Sequence, residues 1–201
     1  MKKIVIATAN KKKKKELKAL LKELKVKLLS LNDLPNIPKI KEGGKTFKEN
    51  AVKKAVITSE FTDKLTMADD SGLEVDALGG RPGVFSARFS GKGANDPKNN
   101  KKLLRMLRAV PSHKRKATFK CVIAMAKRGV VLKVVEGKCR GLIGFQRRGE
   151  NGFGYDPVFI FPKLGKTFAE LGPRAKNMIS HRAKALRKAK KFIADYFRIY
   201  S

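Results

Sequence analysis

The sequence predicts an α/β protein with a mixed β-sheet flanked by helices. Three observations carry that prediction. Short apolar runs such as KIVIA and LTMA interleave with segments of helical periodicity, the arrangement of a sheet covered by helices. Two longer strand-like runs, 116–129 and 130–143, follow one another directly and read as antiparallel partners. Hydrophobic residues make up 42% of the 201-residue chain, enough for a sizeable core.

The elements follow in order. Lys3–Ala7 reads as a buried strand, and Thr8 to Asn10 as a turn. Leu17, Leu20, Leu21 and Leu24 recur at helical spacing, so a helix is expected from Lys11 to about Leu24. VKLLSL is a second strand. Residues 31–46, with Pro35, Pro38, Gly43 and Gly44, read as loop. Thr46 followed three residues later by Glu49 is a capping box opening the helix FKENAVKKAVITSEF. LTMA is expected to be a strand ending on Asp69 and Asp70, with GLEVDAL a separate strand after it. GGRPG marks a turn, and a helix is expected near Pro97–Leu107. NGFGYDPVFIF reads as a glycine loop feeding a strand. One long basic helix is expected from Ala175 to Phe197, with Ile179, Leu186, Phe192, Ile193 and Phe197 on its apolar side.

The charge is unusual. Lys and Arg number 48 against 17 Asp and Glu, a formal net charge of +31. The apolar content excludes a simple disordered polycation. The balance points to an ordinary core under a basic surface that attracts polyanions: nucleic acids, acidic membranes or nucleotides. The start, MKKIVIATAN, has too short an apolar stretch for a signal peptide, and no window approaches a membrane span. Cys121 and Cys139 read as reduced, buried thiols of a cytoplasmic protein, with a bridge between neighbouring strands as the competing arrangement.

Four stretches carry candidate chemistry. In ADDSG, Asp69 and Asp70 suit a hard cation such as Mg²⁺, which takes one or two carboxylates and keeps several waters; capping of the next turn is the competing role. In NGFGYDP, glycines let backbone approach a ligand, Phe153 or Tyr155 could stack on a base, and Asp156 could accept hydrogen bonds; a plain turn is the alternative. In KNMISHR, Lys176, His181 and Arg182 are anion- or base-binding types at a helix start, with Ser180 as a local cap. At ATANKKKKK, a helix N-terminus offers N–H groups and a positive dipole end to phosphate. Asn10 and Lys13 fit that role, whereas Lys11, Lys12, Lys14 and Lys15 also suit a solvated face.

Taken together, these stretches resemble the inosine triphosphate pyrophosphatase family. The matching pieces are ATANKKKKKEL, EGGKTFKENAVKKA, MADDSGLEVDALGGRPGVFSARFSG, FKCVIA, EGKCRGLI, GENGFGYDPVFIF, GKTFAEL and KNMISHRAKAL, in family order over nearly the whole chain. The resemblance implies an ITPase-like fold: an elongated central mixed sheet in one domain over 1–201, with two lobes around an active-site cleft, usually as a homodimer. It implies Mg²⁺-dependent hydrolysis of ITP, dITP and XTP to monophosphate and pyrophosphate. By position, Thr8, Ala9, Asn10, Lys11, Lys12 and Lys13 would touch the triphosphate. Glu42 and Asp70 would hold the metal, and Asp70 would activate water beside Ser71. Phe153, Gly154, Tyr155, Asp156, Lys176, His181 and Arg182 would line the nucleotide pocket. Donors from His181 and Arg182 would favour a 6-oxo purine over adenine.

The chain departs from that pattern in KKKKK, in GFQRRGEN and in LGPRAKN. The departures and the charge fit a member with a redesigned, positively supercharged surface. Non-specific nucleic-acid binding is the partner that this charge implies, and a polyanion-binding protein with weak catalysis on the same fold is the competing function.

Overall fold

The computed structural model describes residues 2–24, 26–34, 37–38 and 40–199. Seven strands form one mixed sheet: β1 (Lys3–Ile6), β2 (Lys27–Ser30), β3 (Thr66–Val75), β4 (Lys116–Lys127), β5 (Val130–Ile143), β6 (Phe159–Phe161) and β7 (Lys166–Thr167), in the order β2-β1-β3-β4-β5-β6-β7. β1 pairs in parallel with β2 (Ile4↔Leu28) and with β3 (Ile6↔Met67). β6 pairs antiparallel with β5 (Ile143↔Phe159) and β7 (Phe161↔Lys166). β4 and β5 are joined by Arg128 and Gly129 alone, both at positive φ (51° and 75°), the backbone of a tight hairpin turn. The expected mixed sheet is therefore present.

Five helices accompany it among the described residues: α1 (Lys11–Leu21), α2 (Phe47–Thr62), α3 (Asp96–Met106), α4 (Pro173–Ile179) and α5 (His181–Ile199). Thr46 caps α2 by accepting the Glu49 N–H at 3.1 Å. The Glu49 carboxylate takes the Lys45 N–H at 2.8 Å, so the box closes one residue earlier than the sequence suggests. Leu31–Asp33 form a 3-10 turn inside the stretch read as loop, and Pro35 of that stretch lies outside the described residues.

Two expectations are corrected. LTMA and GLEVDAL are not separate strands: β3 runs unbroken from Thr66 to Val75, so Asp69 and Asp70 sit mid-strand. They nevertheless lie just past the carboxyl end of β1, whose pairing with β3 stops at Met67. The C-terminal helix is two helices, because Ser180 takes an extended conformation (φ −66°, ψ 158°) and its N–H closes α4 on the Lys176 carbonyl.

The chain divides into two compact units. Unit 1 comprises Met1–Asp70, Cys121–Gly137 and Arg182–Ser201. Its core joins Ile4, Ile6, Leu17, Leu21, Met67, Ile123, Met125, Leu186 and Ile193. Unit 2 comprises Ser71–Lys120 and Lys138–His181. Its core joins Leu73, Leu103, Leu107, Phe119, Val158, Phe159 and Phe168. Cys121 is buried in the first core and Cys139 in the second.

Candidate active site

The turn after β1 leads to the start of α1. Thr8 Oγ1 accepts the Asn10 N–H at 3.3 Å. Asn10 Oδ1 then accepts the N–H groups of Lys12 and Lys13, at 2.9 and 3.0 Å. Two of the backbone donors expected to meet phosphate are thus engaged by the cap. Ala9, Lys11 and Lys12 are exposed at this end of the helix. Lys13 differs from them: its ammonium turns inward to Asp69, with Nζ 3.0 Å from Oδ2.

Asp69 is fully buried and holds three cations around it. Lys13 lies on Oδ2, the Arg182 Nε lies 3.6 Å from the same oxygen, and Lys54 donates to the Asp69 carbonyl at 2.7 Å. Burial alone would raise the Asp69 pKa, but Lys13, Arg182 and Lys54 overcome that and hold it down at about 2. Asp70, next along the strand, goes the other way. Burial pushes its carboxyl above the ordinary range, with Lys54 and Lys13 opposing and Glu42 reinforcing the rise. Adjacent carboxylates whose pKa values are driven apart in this manner are suited to different work, one as a fixed anion and the other to exchange a proton.

Helix α2 supplies two side chains that support Asp70. Asn50 donates from Nδ2 to Asp70 Oδ2 at 3.1 Å and accepts the Gly44 N–H at 2.8 Å. Lys54 is buried; its Nζ lies 2.7 Å from Glu42 Oε1 and 3.7 Å from Asp70 Oδ1. Burial would lower the Lys54 pKa, but Asp70, Asp69 and Glu42 together raise it, so the ammonium stays charged. Arg182 is also buried, with its guanidinium ion-paired to Glu16 and close to Asp69. Glu16 and Asp69 outweigh its burial and hold it cationic.

Unit 2 holds the remaining candidates. Asp156 Oδ2 accepts the Phe153 N–H at 2.8 Å and the Lys176 ammonium at 2.6 Å, and both charged side chains are buried. Gly152 sits at φ 80°, and a Cβ there would run into Asp156 Oδ2, so only glycine closes this loop. Lys176 Nζ lies 4.8 Å from the Phe153 ring centroid, a cation–π distance. The Gly154 N–H reaches Asp96 Oδ2 at 2.9 Å, and its carbonyl accepts from Asn100 at 2.8 Å. Tyr155 is buried, with its hydroxyl on the Ser86 carbonyl at 2.8 Å, and so anchors the loop to the core. His181 stacks on Phe119, ring centroids 4.6 Å apart and planes within 10°. Ser71 is half-buried on β3 directly after Asp70.

The carboxylates fit a divalent cation. Glu42 and Asp70 both approach one positive centre, the Lys54 ammonium. Glu42 and Asp70 are oxygen donors of the type Mg²⁺ takes with water on its other positions, and in this structure the Lys54 ammonium lies within 4 Å of both. Among the described residues no cluster of three or more His, Cys, Asp and Glu is placed to hold a metal ion.

The Ham1 family pattern matches residues 4–192. The chain belongs to the Ham1 family. This Ham1 chain is 51% identical to a dITP/XTP pyrophosphatase of Desulforamulus reducens over 93% of each chain. It is 54% identical to one of Geobacillus kaustophilus, over 94% of this chain and 92% of the relative. The HAM1 protein structure from Coxiella burnetii superposes with a TM-score of 0.89 at 40% identity, covering 97% of this chain and all of that one.

In this Ham1 chain, unit 1 brings together Lys13, Glu42, Asp70 and Arg182 from the predicted set. Unit 2 brings together Phe153, Asp156 and Lys176. Asp69, read with Asp70 as a candidate carboxylate for a hard cation, instead serves as the anion that gathers Lys13 and Arg182, and Asn50, Lys54 and Glu16 complete the unit 1 cluster without having been singled out as binding or catalytic residues. The signal for two of them lies in the α2 pattern. Phe47, Ala51 and Ala55 mark the inward face, and Asn50 and Lys54 share it one turn apart, so polar groups are directed into a core. Glu16 has no such mark, since its partner Arg182 is remote in sequence.

Proposed function

We propose that this Ham1 chain is a nucleoside triphosphate pyrophosphohydrolase that cleaves ITP, dITP and XTP to the monophosphate and pyrophosphate. The observation that carries the reading is the Asp69–Asp70 pair. Asp69 is held ionised among Lys13, Arg182 and Lys54, while Asp70 beside it is shifted toward proton acceptance. Asp70 takes a proton from the attacking water, and its raised pKa brings it nearer the working pH than an ordinary aspartate. Asn50 orients the Asp70 carboxylate through Oδ2. Glu42 and Asp70 would hold Mg²⁺, which supplies charge neutralisation on the phosphates and orients the reacting groups. Lys13 and Asn10, with Thr8, Ala9, Lys11 and Lys12, receive the triphosphate.

The nucleoside side of the reading rests on Ser71, Phe153, Gly154, Tyr155, Asp156, Lys176, His181 and Arg182. Among them, Phe153 and His181 offer aromatic faces, and Lys176 offers charge. Tyr155 acts by fixing the loop. A 6-oxo purine satisfies buried donors that an adenine amine would leave unpaired. The same reading includes a homodimer acting in the cytoplasm. No described helix is long and apolar enough to cross a membrane. The test is product analysis with ITP and ATP, with and without Mg²⁺. The reading requires pyrophosphate from ITP, little from ATP, and loss on chelation. Release of single phosphates, or equal use of ATP, would refute it.

A further inference from the structure

We infer that unit 1 carries a second binding surface, a basic face on α1 and α5 that takes the phosphate backbone of a nucleic-acid duplex without reading its sequence. Two ion pairs set the geometry. Arg182 pairs with Glu16, and Lys190 pairs with Glu23. Moving from 182 to 190 on one helix matches moving from 16 to 23 on the other. The helices therefore run side by side in the same direction, about 10–12 Å along each between the two staples.

Each helix presents a row of cations. Lys11, Lys15, Lys18 and Lys22 are all exposed at spacings of four, three and four, so they lie on one face of α1 and its last turn. Arg187, Lys191 and Arg198 are exposed along α5 on the side opposite its buried Ala185, Leu186, Ala189 and Ile193. The nearby acids offset only part of these rows. Glu16 and Glu23 form the staples, Asp195 is paired with Arg198 at 3.0 Å, and Asp33 lies within electrostatic reach of Lys18, which leaves Lys11, Lys15 and Lys22 on α1 and its last turn and Lys191 on α5 to carry most of the face. The first turn of α1 holds no acid at all. Lysines one turn apart, about 5.4 Å, are spaced to meet successive phosphates of a densely charged strand. A lipid surface fits less well, because the apolar side of α5 packs against the unit's core and leaves only Ile199, at its last position, as an exposed large apolar side chain on that helix. Phosphate contacts alone position a duplex and carry no sequence code.

This inference rests on the surface of unit 1 and is independent of the catalytic reading. The test uses the full chain and a labelled 20-base-pair DNA duplex of arbitrary sequence, followed by anisotropy between about 50 and 200 mM salt. One variant replaces Lys15, Lys18, Lys22, Arg187, Lys191 and Arg198 by Gln. A control removes six charges elsewhere, at Lys92, Lys101, Arg108, Lys116, Arg147 and Lys163, all exposed in unit 2. Thermal melting verifies that both fold, and both retain ITP hydrolysis. The expected result is salt-sensitive binding by the parent and a loss of at least about tenfold in the first variant. Its log-affinity against log-salt slope should be shallower by roughly 0.9 for each phosphate no longer neutralised. The control should keep most of the affinity. Equal loss in the two variants would reduce the face to diffuse net charge and overturn the inference, as would no duplex binding by the parent. Tighter binding to phosphatidylserine–phosphatidylcholine vesicles than to duplex, at matched phosphate, would reassign the face to membranes and overturn it too.

Discussion

Lys13 Nζ lies 3.0 Å from Asp69 Oδ2, on the strand residue next to Asp70. That ion pair separates Lys13 from the rest of the five-lysine run. Lys13→Ala is expected to impair ITP hydrolysis strongly. It also leaves a buried carboxylate short of its nearest cation, a loss of about 3–5 kcal/mol in stability. Lys14 and Lys15 changed together to Gln should leave turnover largely intact and melting within a few degrees of the parent. Steady-state kinetics and thermal melts on the two variants decide this; equal impairment in both would make the run one electrostatic block.

Asp69 predicts acid lability. Its pKa is held at about 2 against an ordinary 3.8, so its ion pairs stabilise the fold fully above about pH 4. That stabilisation, on the order of 2 kcal/mol, is lost as pH falls from about 4 toward 2. Asp69→Asn should therefore be less stable than the parent at pH 7, and the two should converge toward pH 2. Denaturant melts across that range would show a constant gap if Asp69 plays no such part.

Asp70 carries the opposite sign. Its folded pKa is raised, mainly by burial, so its ionised form is disfavoured by folding and destabilises the protein at neutral pH. Asp70→Asn should melt no lower than the parent at pH 7, and its advantage should shrink as pH falls toward the ordinary carboxylate range. A clearly lower melting temperature for Asp70→Asn at pH 7 would contradict this balance.

Lys54 bridges Glu42, the Asp69 carbonyl and the neighbourhood of Asp70 from a buried position on α2. Lys54→Met keeps the chain length but removes the charge. We expect a stability loss of about 3–5 kcal/mol at pH 7 and a fall in turnover. Lys54→Arg should not restore the parent, because a planar fork cannot replace a compact ammonium among these partners. Full activity in Lys54→Met would rule out any catalytic part for this residue.

His181 and Arg182 are predicted to set base choice by different routes. His181 is seated on Phe119, and Arg182 is tied to Glu16 and Asp69. Either residue changed to Ala should raise KM for ITP and narrow its preference over ATP, by about 1–3 kcal/mol of discrimination. Arg182→Ala should also lower the melting temperature. Unchanged ITP-to-ATP ratios in both variants would refute the role.

The sequence exposed the local parts of this structure better than the tertiary ones. Thr46 with Glu49, the GGRPG turn and the two long strands could be placed because their signals span few residues. The strand through Asp69, Asp70 and Ser71 could not. Adjacent carboxylates are poor strand formers, and Lys13, Lys54 and Arg182, brought from three helices, offset the cost of burying them, fully for Asp69 and in part for Asp70. The break at Ser180 was only half legible: Ser180 read as a local cap at a helix start, yet helical spacing continues across it, and one extended residue alters no hydrophobic pattern. Lys54 was easy to pass over in a lysine-rich chain, and only its place on the inward face of α2 with Phe47, Ala51 and Ala55 marks it.

The most direct test is the rate of pyrophosphate release from ITP in the presence of Mg²⁺, measured for the parent chain and for Asp70→Asn under saturating substrate. Loss of a general base predicts a fall of roughly 10²–10⁴-fold in kcat, with the variant still folded at the assay temperature. Release at the parent rate by a folded Asp70→Asn protein would show that the shifted carboxylate is not the proton acceptor, and the central claim would fall.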